Sequence, residues 1–486
     1  MSASLPGPCS ALLRWLLSAR PTCSAGWLGP LALGASLVLA APHLGAQDPP
    51  AEPPVPESTV PTPEELWKLV QKLSGEVAGL RATVNDLNAQ LDAARATAVD
   101  DDQEGFYIPR LSADFQESGL PQQFGNIYTK PYLATLGQRT YLGGYIDFEY
   151  VDPSGGDKDR FFDQHRFVPF FYSDVSDRVK IAAELEFEHG HEVKVEFAQI
   201  DYLFNDAFNF RAGIMLLPLG KLNEVHDTPV QDLTIRPLVN RFIIPTTLRD
   251  AGVGAFGDIS EDLSYQVAVT NGFRGLDDSG AVAINNMTGL RSAAPQSDTL
   301  DSPFTNSNDK LAYSGRVAWT PLLGTEFGVS ALHDTYDEAG DNDLRIMALD
   351  ATVDGKALAW LPDPLELLGE FARADIERDA FAKASGVAGD MDGYYAQANW
   401  HFGDSFLESW KQSGLVEDGA HFTFVTRYDH VDLDDYSMRR TTVGLNFRPN
   451  SHNTVFKLDY QFNDDSGANN GTNADNAVLF SVATYF

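Results

Sequence analysis

The chain has 486 residues, with 69 Asp plus Glu against 35 Lys plus Arg, a formal charge of −34 and a pI near 4.5. Binding to phosphate backbones needs a basic face, so this balance argues against a nucleic-acid partner. Aromatics at 11% argue against a disordered polyanion, and past the N-terminus no apolar run approaches the ~20 residues of a spanning helix.

The first segment reads as a delivery signal. Arg14 and Arg20 precede the apolar stretch Trp27–Ala41, and small residues follow at Gly45 and Ala46. That order predicts a secretory signal peptide over 1–46, cleaved near Ala46; an uncleaved anchor is the alternative. Both cysteines, Cys9 and Cys23, lie inside it. The mature chain would then carry no thiol, so disulfide frameworks and thiolate chemistry drop out.

Residues 47–63 are proline-rich and predict an extended spacer. Thr62, Pro63 and Glu65 mark a helix start. Leu66, Val70, Leu73, Val77, Leu80, Val84, Leu87, Leu91 and Ala94 then recur at alternating steps of four and three. This heptad predicts a coiled coil over 64–98, and Val at a with Leu at d favours two strands. A single amphipathic helix on a core is the alternative. Residues 99–139 form a linker or periplasmic segment, in which Phe106–Phe115 could plug a pore or add a strand.

From residue 140 the period becomes two. In Tyr141–Val151, Leu142, Ile146, Phe148 and Tyr150 face one way, and Tyr145, Asp147 and Glu149 the other. Val179–Glu188, Gly393–Phe402, Thr441–Arg448, Thr454–Phe462 and the terminal segment repeat the pattern. Strands of about 9–11 residues cross a membrane at a tilt, whereas soluble strands average five or six. Aromatics such as Tyr150, Tyr202, Tyr265, Tyr313, Tyr394 and Tyr428 recur near strand ends, as in interfacial girdles. The fold class is therefore all-β: a 16-stranded antiparallel transmembrane β-barrel over 140–486, preceded by the coiled-coil helix. A soluble sandwich is the alternative. Sixteen strands would enclose an aqueous channel. Short turns should alternate with long connections; the link 403–419 is long for its side and predicts a short helix over Ser405–Ser413.

Loop 218–249 carries apolar residues that solvent-facing loops rarely need: Val230, Leu233, Leu238, Val239, Phe242, Ile243 and Ile244. It also carries Lys221, Arg236, Arg241 and Arg249. An apolar side for anchoring and a basic side for the lumen predict a loop folded into the barrel, where those four cations line the constriction. The alternative is a loop packed on the rim or the neighbouring subunit, its arginines paired with Asp227, Asp232 and Asp250. Parity assigns Arg166, Lys180, Arg211, Arg316, Arg427 and Lys457 to the pore wall, among acidic residues on the same face.

The run 213–257, GIMLLPLGKLNEVHDTPVQDLTIRPLVNRFIIPTTLRDAGVGAFG, resembles the corresponding segment of the phosphate-selective porin O/P family. Its PLGKLNE…HD, RPLV and IPTT…AG pieces come in the same order, and elsewhere the likeness is one of strand spacing and the final Phe486. The resemblance implies an outer-membrane homotrimer with an inward-folded third loop, and a terminal aromatic like the signal read by barrel-assembly machinery. The function it implies is passive diffusion of small hydrophilic solutes or ions, anions such as phosphate among them. The expected partners are outer-membrane lipid, further copies of the chain and small solutes or inorganic anions. The alternative is a structural tether, linking barrel to cell wall through the coiled coil. No nucleophile elbow or HExxH zinc motif is present. The reading therefore has no enzyme, no catalytic residue, no cofactor and no metal; His189–Glu192 reads as an exposed turn rather than a metal site.

Overall fold

A computed structural model divides the chain into two units, 1–104 and 105–486. It describes Ala134–Thr135 and residues 140–486, apart from 155–158, 278, 298–302, 307, 418, 451–453 and 468–474. The expected signal peptide, spacer and heptad helix lie outside the described residues, as does Phe106–Phe115.

The second unit is a closed sheet of sixteen long strands. In order they are β1 Thr140–Pro153, β2 Phe161–Asp174, β3 Val179–Glu188, β4 Glu192–Asn205, β5 Phe208–Leu216, β6 Arg249–Ser260, β7 Leu263–Thr270 and β8 Ala312–Trp319. There follow β9 Thr325–Thr335, β10 Asp343–Asp354, β11 Leu365–Ile376, β12 Met391–Phe402, β13 His421–Asp432, β14 Tyr436–Arg448, β15 Thr454–Gly467 and β16 Ala477–Tyr485. Each pairs antiparallel with its sequence neighbours, and β16 returns to β1 from Ala477↔Pro153 to Tyr485↔Tyr145. Ala134–Thr135 adds a short bridge to β1. All sixteen expected strands are present; the largest difference in bounds is at β15, which runs to Gly467 instead of stopping at 462. Among the described residues three short α-helices interrupt the loops: α1 Val239–Phe242, α2 Ala380–Ser385 and α3 Asp404–Gln412, the last where Ser405–Ser413 was expected.

Alternation decides which side chain meets what. Val317, Val329 and Leu349 align across β8, β9 and β10 and are exposed on the outer wall. Their neighbours Arg316, Ser330 and Asp350 are buried inside. Tyr202, Tyr313, Tyr394 and Tyr428 are exposed too, as an interfacial girdle requires. Among the described residues no helix is long and apolar enough to cross a membrane. In a closed sheet the strands satisfy each other's backbone groups, so they can cross instead.

The inner wall is not uniformly polar. Leu332, Leu344, Ile346, Ala372, Met391 and Met438 point inward and are buried. They pack with Leu219, Leu238, Val239, Ile243 and Ile244 of the long loop after β5, and with Phe273, Ile284 and Leu290 of the loop after β7. Removing these apolar faces from water holds both loops inside the barrel.

Candidate constriction of the lumen

The loop between β5 and β6 lies against the wall and is pinned along its length. At its base Gly220 N–H donates to Ser330 Oγ (2.9 Å), and the N–H groups of Lys221 and Leu222 donate to Glu370 Oε2 (3.0 and 3.2 Å). Asn240 Nδ2 donates to the other oxygen of that carboxylate (2.7 Å). Gly220 has φ +69, and a Cβ there would sit 2.6 Å from Glu370 Oε1, so glycine serves both the turn and the close approach. Further along, Thr234 N–H donates to Asp459 (2.7 Å) and Leu238 N–H to Asp429 (3.1 Å). Wall cations hold loop carbonyls: Lys457 Nζ to Thr228 (2.9 Å), Arg427 to Ile235 (2.7 Å) and Arg448 to Pro229 (2.8 Å). Gly444 of β14 leaves room for the loop's Leu233, whose Cδ2 would lie 2.6 Å from a Cβ at that position.

The pinned loop lines a cavity of about 530 Å³. The long loop supplies Arg236, Arg241 and Thr234 to it; β6 supplies Arg249; β2 to β4 supply His165, Arg166, Glu186, Glu188 and Lys194; the loop after β7 supplies Arg291 and Gln296. The acids here are already paired. Arg166 lies 2.7 Å from Glu186 and 3.0 Å from Glu188, and Lys194 lies 2.8 Å from both Glu188 and Glu192. Arg236 donates to the Thr246 carbonyl, and Arg249 Nη1 to that of Thr247 (3.3 Å). Arg249 Nε is buried with no hydrogen-bond partner. Among the described residues, none of Arg236, Arg241, Arg249 and Arg291 has a carboxylate at ion-pair distance, so four guanidiniums face the cavity without an ion-pair partner. Burial and the neighbouring Arg291 press the pKa of Arg241 down to about 10, which leaves it charged at neutral pH. Burial, then Arg166, pushes Arg236 down as well.

The ten residues singled out from sequence divide by surroundings. Arg236, Arg241, Arg249 and Arg166 come together at the cavity. Lys221 lies instead at the loop base, 3.2 Å from Glu326 and 3.1 Å from Thr352 Oγ1. Lys180 pairs with Asp174 at the turn end of its strand (2.7 Å). Arg211 meets Asp201 through two bonds of 2.9 Å. Arg316 meets Asp350 (2.6 Å), Glu326 (2.8 Å) and Glu224 (3.7 Å). Arg427 bonds Asp429 (2.9 Å) besides its loop carbonyl, and Lys457 is wholly buried on the loop. Sequence reading missed Arg291 and Gln296, because the loop after β7 has no periodicity to show which side chains turn inward.

Apolar strands outside, polar groups and inward-folded loops inside, and a sheet without edges define an outer-membrane barrel channel. The chain belongs to the phosphate-selective porin O and P family, whose profile matches residues 171–484. An uncharacterized protein of Aquifex aeolicus (strain VF5) is 28% identical over 210 residues, which are 41% of this chain and 46% of that protein, so this chain spans about half the length of the relative it matches. The solved structure of Salmonella typhi OmpF in complex with daunomycin is similar at 10% identity and a TM-score of 0.47, over 72% of this chain and 98% of that one. The outer-membrane channel DcaP of Acinetobacter baumannii is similar at 10% identity and a TM-score of 0.46, over 71% and 97%.

Proposed function

We propose that this outer-membrane channel passes small anions, inorganic phosphate among them, by passive diffusion through a neck set by loop 218–249. The carrying observation is the charge balance at the cavity. Glu186, Glu188 and Glu192 are paired with Arg166 and Lys194, which leaves one acid in excess there; Arg236, Arg241, Arg249 and Arg291 add four cations, so the six cations of the cavity outnumber its three acids. Selectivity follows the charges that line a pore, so the strongly acidic composition of the whole chain does not oppose this reading. Fixed guanidiniums offer flat donor forks suited to oxyanions. Many weak donors along a path also let an anion leave again, which conduction needs. Self-association, as a homotrimer or through the heptads of 64–98, belongs to the same proposal; the heptads and the family support it. The heptads and the spacer before them also support a tethering role beside the channel.

Reversal potentials in planar bilayers under a KCl gradient test the neck. The wild type is expected to favour chloride, and the combined Arg236→Glu, Arg241→Glu, Arg249→Glu variant to favour potassium. An unchanged reversal potential in that variant would place the selectivity elsewhere and remove the proposal.

A further inference from the structure

Two carboxylates and one imidazole meet on the inner wall beside the cavity. Asp147 and Glu149 are two apart on β1, so they share its inward face, and both are buried. Opposite them the pairing slips: Asp147 faces Arg166 and Glu149 faces Asp163, so Gln164 and His165 stand against Phe148 alone. Such a bulge re-aims a side chain. Strict alternation next to the inward Arg166 would send His165 to lipid; here it lines the cavity. Gln164 braces the slip, its Nε2 donating to the carbonyls of Asp147 (2.9 Å) and Arg166 (3.1 Å).

His165 Nδ1 lies 3.2 Å from Asp147 Oδ2 and 2.7 Å from Glu149 Oε1, and the three groups' ligand atoms all fall within 4.8 Å of one another. A ring nitrogen carries at most one proton, so it cannot serve both carboxylates with a full hydrogen bond. Asp147 Oδ1 is buried with no hydrogen-bond partner, and Glu149 Oε1, though 2.7 Å from the ring nitrogen, is not aligned for a hydrogen bond with it. No lysine or arginine among the described residues pairs with either acid. Arg166 is held by Glu186 and Glu188, and Lys457 by the Thr228 carbonyl. Two buried acids thus converge on one nitrogen with no strong cation of their own, an arrangement that burial makes costly.

We propose that Asp147, Glu149 and His165 bind one divalent transition-metal cation of the zinc class. Ligands about 2.0 Å from zinc at a tetrahedral angle lie about 3.3 Å apart, close to the nitrogen–oxygen separations here. One imidazole with two carboxylates suits zinc and its neighbours better than calcium or magnesium, which take oxygen alone. Three protein ligands leave a fourth position for water or an anion from the cavity. The binding does not depend on the anion reading. Only its consequence does: two added positive charges beside Arg166 would strengthen an anion-favouring neck.

Zinc chloride titrated calorimetrically into the detergent-folded full chain at pH 7 tests the site. One zinc per chain is expected. Glu149→Gln, nearly isosteric, and His165→Gln should each weaken binding about tenfold or more. The double variant His189→Ala, His191→Ala should leave it within about twofold of the wild type. Binding lost in that double variant alone, or wild-type affinity no better than that of Glu149→Gln, would overturn the proposal. Should both ligand variants fail to fold, the cobalt-loaded wild type decides. Strong visible absorption of a four-coordinate ion supports the site, and the weak absorption of the hydrated ion overturns it.

Discussion

At the scale of single residues, the inner wall separates cations that hold structure from cations that face space. Arg316 belongs to the first kind. It is buried against Asp350, Glu326 and Glu224, and its loss would leave three acids without their common partner. Breaking a buried pair from one side costs about 3–5 kcal/mol. Arg316→Ala is expected to lower stability by that order in urea unfolding from detergent micelles; a loss under about 1 kcal/mol would mean that the cluster is hydrated and weak. Parity in the sequence was enough to put Arg166, Arg211, Arg316, Arg427 and Lys457 on the inner face, because a strand's period is two wherever it is regular. It could not separate paired from unpaired charges, since that depends on strands distant in sequence, as in Arg316 with Asp350. Nor could it find His165, because one extra residue at the bulge moved that side chain to the other face.

At the scale of elements, the outer wall and the long loop make separate demands. Val329 lies on the outer face between Val317 and Leu349. Val329→Arg would press a charge into lipid, at a cost of about 2–4 kcal/mol near the bilayer midplane. The same urea experiment in lipid vesicles reads it, and an unchanged midpoint would contradict a lipid-facing wall. The loop depends on Glu370, which takes two backbone N–H groups and the Asn240 amide. Glu370→Ala leaves those donors unpaired in a buried place. It is expected to loosen the loop base, so that single-channel currents become larger and noisier; currents like the wild type's would show that the apolar contacts alone hold the loop. The inward fold of this element was readable from Leu238, Val239, Ile243 and Ile244 set among arginines. Its receptor was not: Leu332, Leu344 and Ile346 face inward where alternation in a water-filled barrel predicts polar groups. The second inward loop, after β7, gave no sequence signal because its apolar residues follow no period.

At the scale of the whole molecule, closure makes one channel of sixteen strands. The ends of the sheet meet where β16 returns to β1, and the terminal Phe486 exchanges backbone bonds with Gly144 (3.1 and 2.9 Å) and stacks on Phe167. A sheet closed this way has no free edge, so its polar backbone can sit in a bilayer. Strand number, order and bounds were readable because each strand repeats the same local rule, and a local rule is what a sequence displays. The heptads and spacer expected from the sequence lie outside the described residues. Deleting 48–100 is expected to leave conductance intact and weaken envelope integrity; lost conductance would instead make that segment part of the pore.

Ion selectivity of single channels formed by the purified, folded wild type tests the central claim most directly. An open ohmic current carried mainly by chloride, and reduced when phosphate is added, is the expected result. A barrel that inserts but carries no current, or one that favours potassium and ignores phosphate, would contradict it.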